Sequence, residues 1–324
     1  MYTIADFQKK VEENINSQQF VSKPEGLYKP IEYVMELGGK RIRPTMCLAA
    51  CYLFSDDVDK AIEAGLGLEV FHNFTLLHDD VMDNADVRRN RETVHVKWDE
   101  NTAILSGDAM LIKAYQYIAN VDGKVLKEVL DLFSKTAMEV CEGQQYDMEF
   151  ESRSDVMVEE YLNMIRLKTA VLLAASLKTG AIIGGADPEC ANNLYEFGEN
   201  IGLAFQLQDD FLDVYGDEKT FGKAIGGDIV ANKKTFLLIN ALQLASGSLQ
   251  ENLQTWISLD TFNREEKVEA LRNIYNELKV DDLAKEKMAW YFDKAIAALN
   301  KVKGKESMKA ELNQFAMNLI ERSR

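Results

Sequence analysis

Apolar side chains recur at steps of three and four along most of the chain. In "IADFQKKVEENI", Ile4, Phe7, Val11 and Ile15 share one face, the spacing of an amphipathic helix. "KAIEAGLGLEVFHNFTLLHDDVMD" is one long helical run, with Ile62, Leu66, Glu69, Val70, Phe74 and Leu77 in step. "VLKEVLDLFSKTAMEVCEGQQYDMEF" and the stretches 157–183 and 191–215 repeat the pattern. Breaks fall at 24–30, 38–39, 55–57, 120–123, 184–188, 216–227 and 245–248. Alternating strand-like runs bounded by turn signals are absent. The pattern predicts an all-α protein of roughly ten or more helices joined by short turns. It is read as a single large helical domain over 1–324, with two stacked helical halves as the alternative.

Composition narrows the partners. The chain carries 53 acidic and 37 basic residues, a formal charge of −16. That balance argues against a nucleic acid, whose phosphates need a basic footprint. It suits bound divalent metal. Cys47, Cys51, Cys141 and Cys190 form no CxxC pair and are expected to be core thiols. The N-terminus is charged and has no apolar h-region, and no run approaches the ~18 apolar residues of a span. A cytoplasmic protein with no membrane span is the expectation.

Two acidic triplets change the picture. "LLHDDVMDN" holds Asp79, Asp80 and Asp83, and "FQLQDDFLDVYGD" holds Asp209, Asp210 and Asp213. Both read DDxxD and both end apolar helical runs. On a helix such a triplet spans an arc of about 100°, so its carboxylates share a face. Like charges at these spacings repel, and carboxylates near a helix C-terminus oppose its dipole. One copy is most simply a solvated acidic face. Two copies, 130 positions apart on similar apolar helices, point to cavity walls that await a cation. All-oxygen donors suit Mg²⁺, which bridges carboxylates to substrate phosphates. With only His72, His78 and His95 present, a histidine-rich metal site is excluded.

The basic clusters fit the same picture. "GGKRIRPT" packs Lys40, Arg41 and Arg43 into four residues. It reads either as a helix terminus or as a clamp for a phosphate not on the metal. "NADVRRNRETVH" adds Arg88, Arg89 and Arg91, whose guanidinium forks suit bidentate phosphate contacts. Lys168, Lys223, Lys233 and Lys234 form a third set.

In order, the motifs "GGKRIRP", "EVFHNFTLLHDDVMD", "RRNRETVH", "LKTA", "FQLQDDFLD" and "GKAIGGDIVANKKT" resemble the trans-isoprenyl diphosphate synthases, the head-to-tail prenyltransferases, over nearly the whole chain. The resemblance implies an isoprenoid-synthase helical fold with a central cavity. It also implies a homodimer, and condensation of isopentenyl diphosphate with an allylic diphosphate. It implies Mg²⁺, three ions with substrate bound, on Asp79, Asp80 and Asp83 and on Asp209, Asp210 and Asp213. Lys40, Arg43, His72 and Arg89 then hold isopentenyl diphosphate. Arg88, Lys168, Lys223 and Lys233 grip the allylic diphosphate, while Thr169 and Gln206 aim oxygen dipoles at the reacting carbons. Gln144 and Asp147 lie where the family has cavity residues, and His78 and His95 are read as structural. The family commonly has Gly and Pro where Asn90 and Glu92 stand here, which implies a looser turn and leaves Arg91 without a role.

By the same resemblance, Phe74, Thr75 and Phe71, five, four and eight residues before Asp79, set product length. An aromatic at Phe74 beside the small Thr75 resembles geranylgeranyl-forming enzymes, with farnesyl as the alternative. Longer-chain synthases, a class I terpene cyclase and a non-catalytic partner subunit are the further readings. A cyclase has no need of the isopentenyl clamp, and a non-catalytic partner would have lost carboxylates or cations that are intact here.

Overall fold

The computed structural model describes residues 2–216 and 225–320. Its helices, in chain order, are α1 (Ile4–Ser17), α2 (Glu25–Glu36), α3 (Ile42–Phe54), α4 (Ile62–Met82), α5 (Val94–Lys97), α6 (Glu100–Ile118), α7 (Gly123–Ser152), α8 (Val158–Ile165), α9 (Val171–Gly184) and α10 (Pro188–Tyr215). After the gap come α11 (Gly227–Val230), α12 (Phe236–Leu244), α13 (Gly247–Ser258), α14 (Arg264–Glu277), α15 (Val280–Lys301) and α16 (Glu306–Ile320). A π-helical turn, Arg166–Ala170, joins α8 to α9. The one sheet among the described residues is a hairpin of β1 (Val87–Arg88) and β2 (Arg91–Glu92).

The helical reading holds, with three differences. The break expected over 24–30 is a cap only. Pro24 is the N-cap of α2, and Pro30 lies inside the helix. Pro30 has no N–H for the preceding turn, but it is buried with Ile31, Tyr33, Val34 and Met35, and that apolar burial offsets one lost hydrogen bond. The hairpin contradicts the expected absence of strands. Cys47, Cys51 and Cys190 are buried free thiols as expected, but Cys141 is exposed.

The described structure forms two compact units. The first comprises Met1–Lys135, Ala175–Tyr195 and Lys301–Leu312, and the second Thr136–Ala174, Glu196–Asn300 and Asn313–Arg324. In the first, α4 packs along α6 and α3, and α1 and α2 complete the layer. Its core includes Phe7, Ile31, Met46, Cys47, Leu68, Phe71, Met110 and Phe133, each buried. In the second, Phe150, Tyr161, Ile165, Leu203, Leu207, Leu237, Leu271 and Tyr275 belong to one buried cluster. The run Val158–Gly184 is long and apolar enough to cross a membrane, but 83% of its most apolar window is buried inside the protein. It is a core element.

A buried charge organises the first unit. Arg41, at φ 45° ahead of α3, is 3% exposed. Its Nη1 donates to Glu69 Oε1 at 2.8 Å, its Nη2 to the Met35 carbonyl at 2.6 Å and its Nε to Glu12 at 3.1 Å. Asn73 donates to the same Glu69 oxygen at 3.0 Å. The reading of Arg41 as part of a phosphate clamp is therefore corrected: its fork is spent tying α1, α2 and α4 to the start of α3. Removing one partner of such a pair strands a buried charge. Glu69→Ala is expected to lower unfolding stability by about 3 kcal/mol or more, read from urea denaturation. A loss under ~1 kcal/mol, the level of a surface pair, would refute the anchoring role.

Candidate active site

In the first unit, the cations expected to bind phosphate surround the end of α4. Arg43 sits in the first turn of α3, and its Nε is buried with no hydrogen-bond partner. Burial lowers its pKa to about 10, against the pull of Glu69, and the Arg89 charge pushes the same way. Burial also drives the His72 imidazole well below its usual pKa, helped by the charges of Arg43, Arg89, Arg88 and Arg41. His72 is thus neutral, with one nitrogen available to donate. An arginine whose buried Nε has no partner, beside a neutral histidine, is an environment suited to an anion.

The hairpin is tighter than expected. Val87 pairs with Glu92 and Arg88 with Arg91, so Arg89 and Asn90 alone make the turn. Both have positive φ, 53° and 61°. That is the two-residue turn whose twist suits a hairpin, and Asn tolerates the left-handed region. The Arg89 guanidinium donates to the Gly38 carbonyl. Gly39, at φ 142°, lies beneath that guanidinium, and a Cβ there would sit 2.8 Å from Arg89 Nη2. Two loops with left-handed backbone are thereby locked together. Arg91 has a place as well, stacked 4.7 Å over the Tyr33 ring, while Tyr33 donates to the Glu92 carbonyl at 2.8 Å.

The first triplet ends α4. Asp80 is buried and takes the Arg88 fork, Nε at 2.8 Å from Oδ1 and 2.9 Å from Oδ2. Asp79 lies 3.7 Å from Arg88 Nη2. Burial raises the Asp80 pKa, and the Arg88 charge opposes that. Asp83 is exposed at the C-cap, and Lys40 is exposed in the loop before α3. One turn and more above the triplet, Phe74 packs edge-on to His78 (4.8 Å) and tilted against Phe71 (5.6 Å), which meets Phe133 (5.3 Å). Thr75 donates back to the His72 carbonyl at 2.8 Å. His78 also contacts the Ile104 carbonyl at 3.0 Å, in keeping with its structural reading.

The second unit contains a cavity of about 50 Å³ lined by Asp147, Tyr161, Lys168, Thr169, Gln206, Asp210 and Lys233, with Met164 and Ile165. The π turn presents Lys168 and Thr169. An extra residue in one turn re-aims side chains, and such turns cluster at functional sites. Two features seat it. Arg166 pairs with Glu199 at 3.2 Å, and the Lys168 backbone lies so close to Gly143 that a Cβ there would collide with it. Lys168 Nζ contacts Asp147 Oδ2 at 2.6 Å. Gln144 lies on the same helix as Asp147 but is not among the lining residues.

The second triplet divides its labour. Asp210 is buried, accepting from Tyr161 Oη and from Gln206 Nε2 (3.0 Å). Burial raises its pKa to about 7, and the Asp228 charge adds to that while Lys233 opposes it. Asp213 Oδ2 accepts from the Asp228 N–H at 2.9 Å, at the start of α11. Asp228 is itself raised to about 6, by burial first and then by Asp213, Asp209 and Asp147 against the pull of Lys233. Asp209 is half-buried. Lys223 lies outside the described residues.

Among the described residues, no three His, Cys, Asp or Glu side chains are gathered into a closed metal cage. Mg²⁺ does not require one, since it keeps waters and takes phosphate oxygens beside one or two carboxylates. Asp79, Asp83 and Asp209, partly or fully exposed on helix ends, fit that donor set. Tyr161, Asp228, Glu69 and Gly143 were missed in the sequence. Asp228 could have been noticed, five residues after Lys223 in "GKAIGGD". Tyr161 gave no signal, being one aromatic in an apolar run whose partner lies 49 positions on.

The chain is similar to known proteins over most of its length. The polyprenyl synthetase family model matches residues 24–278. A geranylgeranyl diphosphate synthase of Methanosarcina mazei is 43% identical over 225 residues, 69% of each chain. One from Sulfolobus acidocaldarius is 35% identical over 305 residues, 92% of this chain and 91% of that one. A crystal structure of a geranylgeranyl pyrophosphate synthase superposes with a TM-score of 0.94 at 42% identity, over the full length of both chains. With the all-α isoprenoid-synthase fold and these relatives, the chain belongs to the polyprenyl synthetase family and is a trans-prenyltransferase.

Proposed function

We propose that this enzyme condenses isopentenyl diphosphate with an allylic diphosphate, head to tail, to make geranylgeranyl diphosphate in the cytoplasm, with Mg²⁺ as its cofactor. The observation that carries the diphosphate reading is the cation set of the first unit: Arg43 with a buried unpartnered Nε, Arg89 on Gly38, and neutral His72. A diphosphate supplies the anion that these groups lack. Lys40, Arg43, His72 and Arg89 hold isopentenyl diphosphate. Arg88, Lys168 and Lys233, with Lys223, hold the allylic diphosphate. Asp79, Asp83 and Asp209 carry the metal assignment, joined by Asp80 once Arg88 turns to phosphate. Asp210 and Asp213 have protein partners in its place.

Mg²⁺, three ions in the full complex, supplies charge neutralisation at the leaving diphosphate. The chain's cations stabilise the same developing charge. As the allylic C–O bond breaks, the oxygens of Thr169 and Gln206 face the carbocation electrostatically. The isopentenyl double bond attacks it, and a proton leaves the resulting cation for the released diphosphate. Apolar walls such as Met164 and Ile165 keep out water, which would trap the cation as an alcohol.

Product length follows from the Phe74 ring, wedged between Phe71 and His78 on α4. The experiment is a product assay with labelled isopentenyl diphosphate, Mg²⁺ and dimethylallyl, geranyl or farnesyl primers. A C20 product that vanishes with EDTA is expected. No incorporation with any primer refutes the function, and a C15 stop moves the product to farnesyl. Phe74→Ala is expected to lengthen the product, and unchanged length removes Phe74 as the floor. Gly39→Ala pushes a methyl into the Arg89 guanidinium, and is expected to raise the Kd for isopentenyl diphosphate about tenfold. Unchanged affinity in calorimetry would separate Arg89 from that substrate.

A homodimer is part of the same proposal. On α6, Leu105 and Ile112 lie one heptad apart and are 60% and 61% exposed, with Ile104 at 41%. Such a stripe on an acidic protein suits a second copy. Leu105→Asp is expected to give a monomer in sedimentation, and an unchanged mass would exclude this face.

A further inference from the structure

The cavity of the second unit contains an amide whose direction matters. Gln206 has an oxygen end and an NH₂ end of nearly equal shape. Only the oxygen end stabilises a carbocation; the NH₂ end, a positive dipole, destabilises it. Thr169 does not decide between them, because a hydroxyl donates to one and accepts from the other. Asp210 does decide. Both of its oxygens act as acceptors, Oδ2 from the Tyr161 hydroxyl and Oδ1 from Gln206 Nε2 at 3.0 Å, and that sets the direction of the amide. Oε1 is then turned to Thr169 Oγ1, at 3.2 Å, on the cavity wall.

Asp210 itself needs an anchor, since its neighbour across the cavity wall is the cation Lys233. The anchor is the Tyr161 hydroxyl, which donates to Oδ2. Tyr161 is 1% exposed, and its ring lies in the buried cluster of the second unit, so the hydroxyl cannot swing away. Each member of the chain Tyr161–Asp210–Gln206–Thr169 fixes the next.

We propose that Tyr161 is a positioning residue for the condensation. Through Asp210 it sets the Gln206 amide so that the carbonyl oxygen faces the reacting carbons. This inference rests on the reading of Gln206 given above.

The test uses the full-length enzyme with Tyr161→Phe, Gln206→Ala and the double variant. Tyr161→Phe is expected to lower kcat about tenfold, with KM for both diphosphates within about twofold. The loss should disappear in the Gln206→Ala background, because the two residues act in series. A kcat equal to wild type, or a loss of the same size in both backgrounds, overturns the proposal. If Gln206→Ala turns over like wild type, the assignment of Gln206 fails; if Gln206→Ala is slow and Tyr161→Phe is not, the inference about Tyr161 alone fails. Asp210→Asn covers the case in which Tyr161→Phe does not fold, and it should slow kcat comparably without raising KM. The Gln206 side-chain NH₂ resonance is a readout independent of turnover. It is expected to shift upfield in Tyr161→Phe as its carboxylate partner loosens, and an unmoved resonance counts against the proposal.

Discussion

The first unit depends on one buried cation that binds nothing from outside. Arg41 donates from each of its three guanidinium nitrogens, to Glu12, Glu69 and the Met35 carbonyl. A guanidinium out of water is tolerated only when its charge is matched and its donors are used. Arg41, itself in a left-handed conformation, is thereby held against α4. One arginine of the cluster is structural so that its neighbours can be functional.

Arg43 is treated in the opposite way. Its buried Nε has no partner, Glu69 offsets its charge only in part, and the like charge of Arg89 is locked to Gly38. His72 responds by staying neutral. Holding cations together without an anion costs stability, and a diphosphate offsets that cost on binding. The same tension runs through the carboxylates. Asp80 borrows Arg88 as its counter-charge, while Asp210 and Asp228 are pushed toward protonation, first by burial and then by neighbouring carboxylates. On the proposed function, each cluster is a place where substrate or metal would complete an unfinished charge balance.

In the second unit precision comes from the backbone. The π turn at Arg166–Ala170 changes the phase of a helix that otherwise runs smoothly in its apolar pattern. Gly143 lets that turn sit against α7. Thr169 and Gln206 meet for this reason, although they are 37 positions apart.

The helices, the two DDxxD faces and the basic motifs were legible because each is a local pattern: apolar period, carboxylate spacing, cation clusters. The roles within a motif were not. Nothing local separates Arg41 from Arg43, two residues apart, yet Glu69 forms its hydrogen-bonded ion pair with Arg41. Asp209, Asp210 and Asp213 read alike in the chain; Tyr161, Gln206 and the α11 backbone tell them apart. The turn at Asn90 was expected to be loose, and the docking of Arg89 on Gly38 goes with a tight one. Side-chain chemistry and period are properties of the sequence by itself. Which charge is buried, matched or left waiting depends on groups brought together from 15 to 51 positions away, and only the tertiary structure decides that.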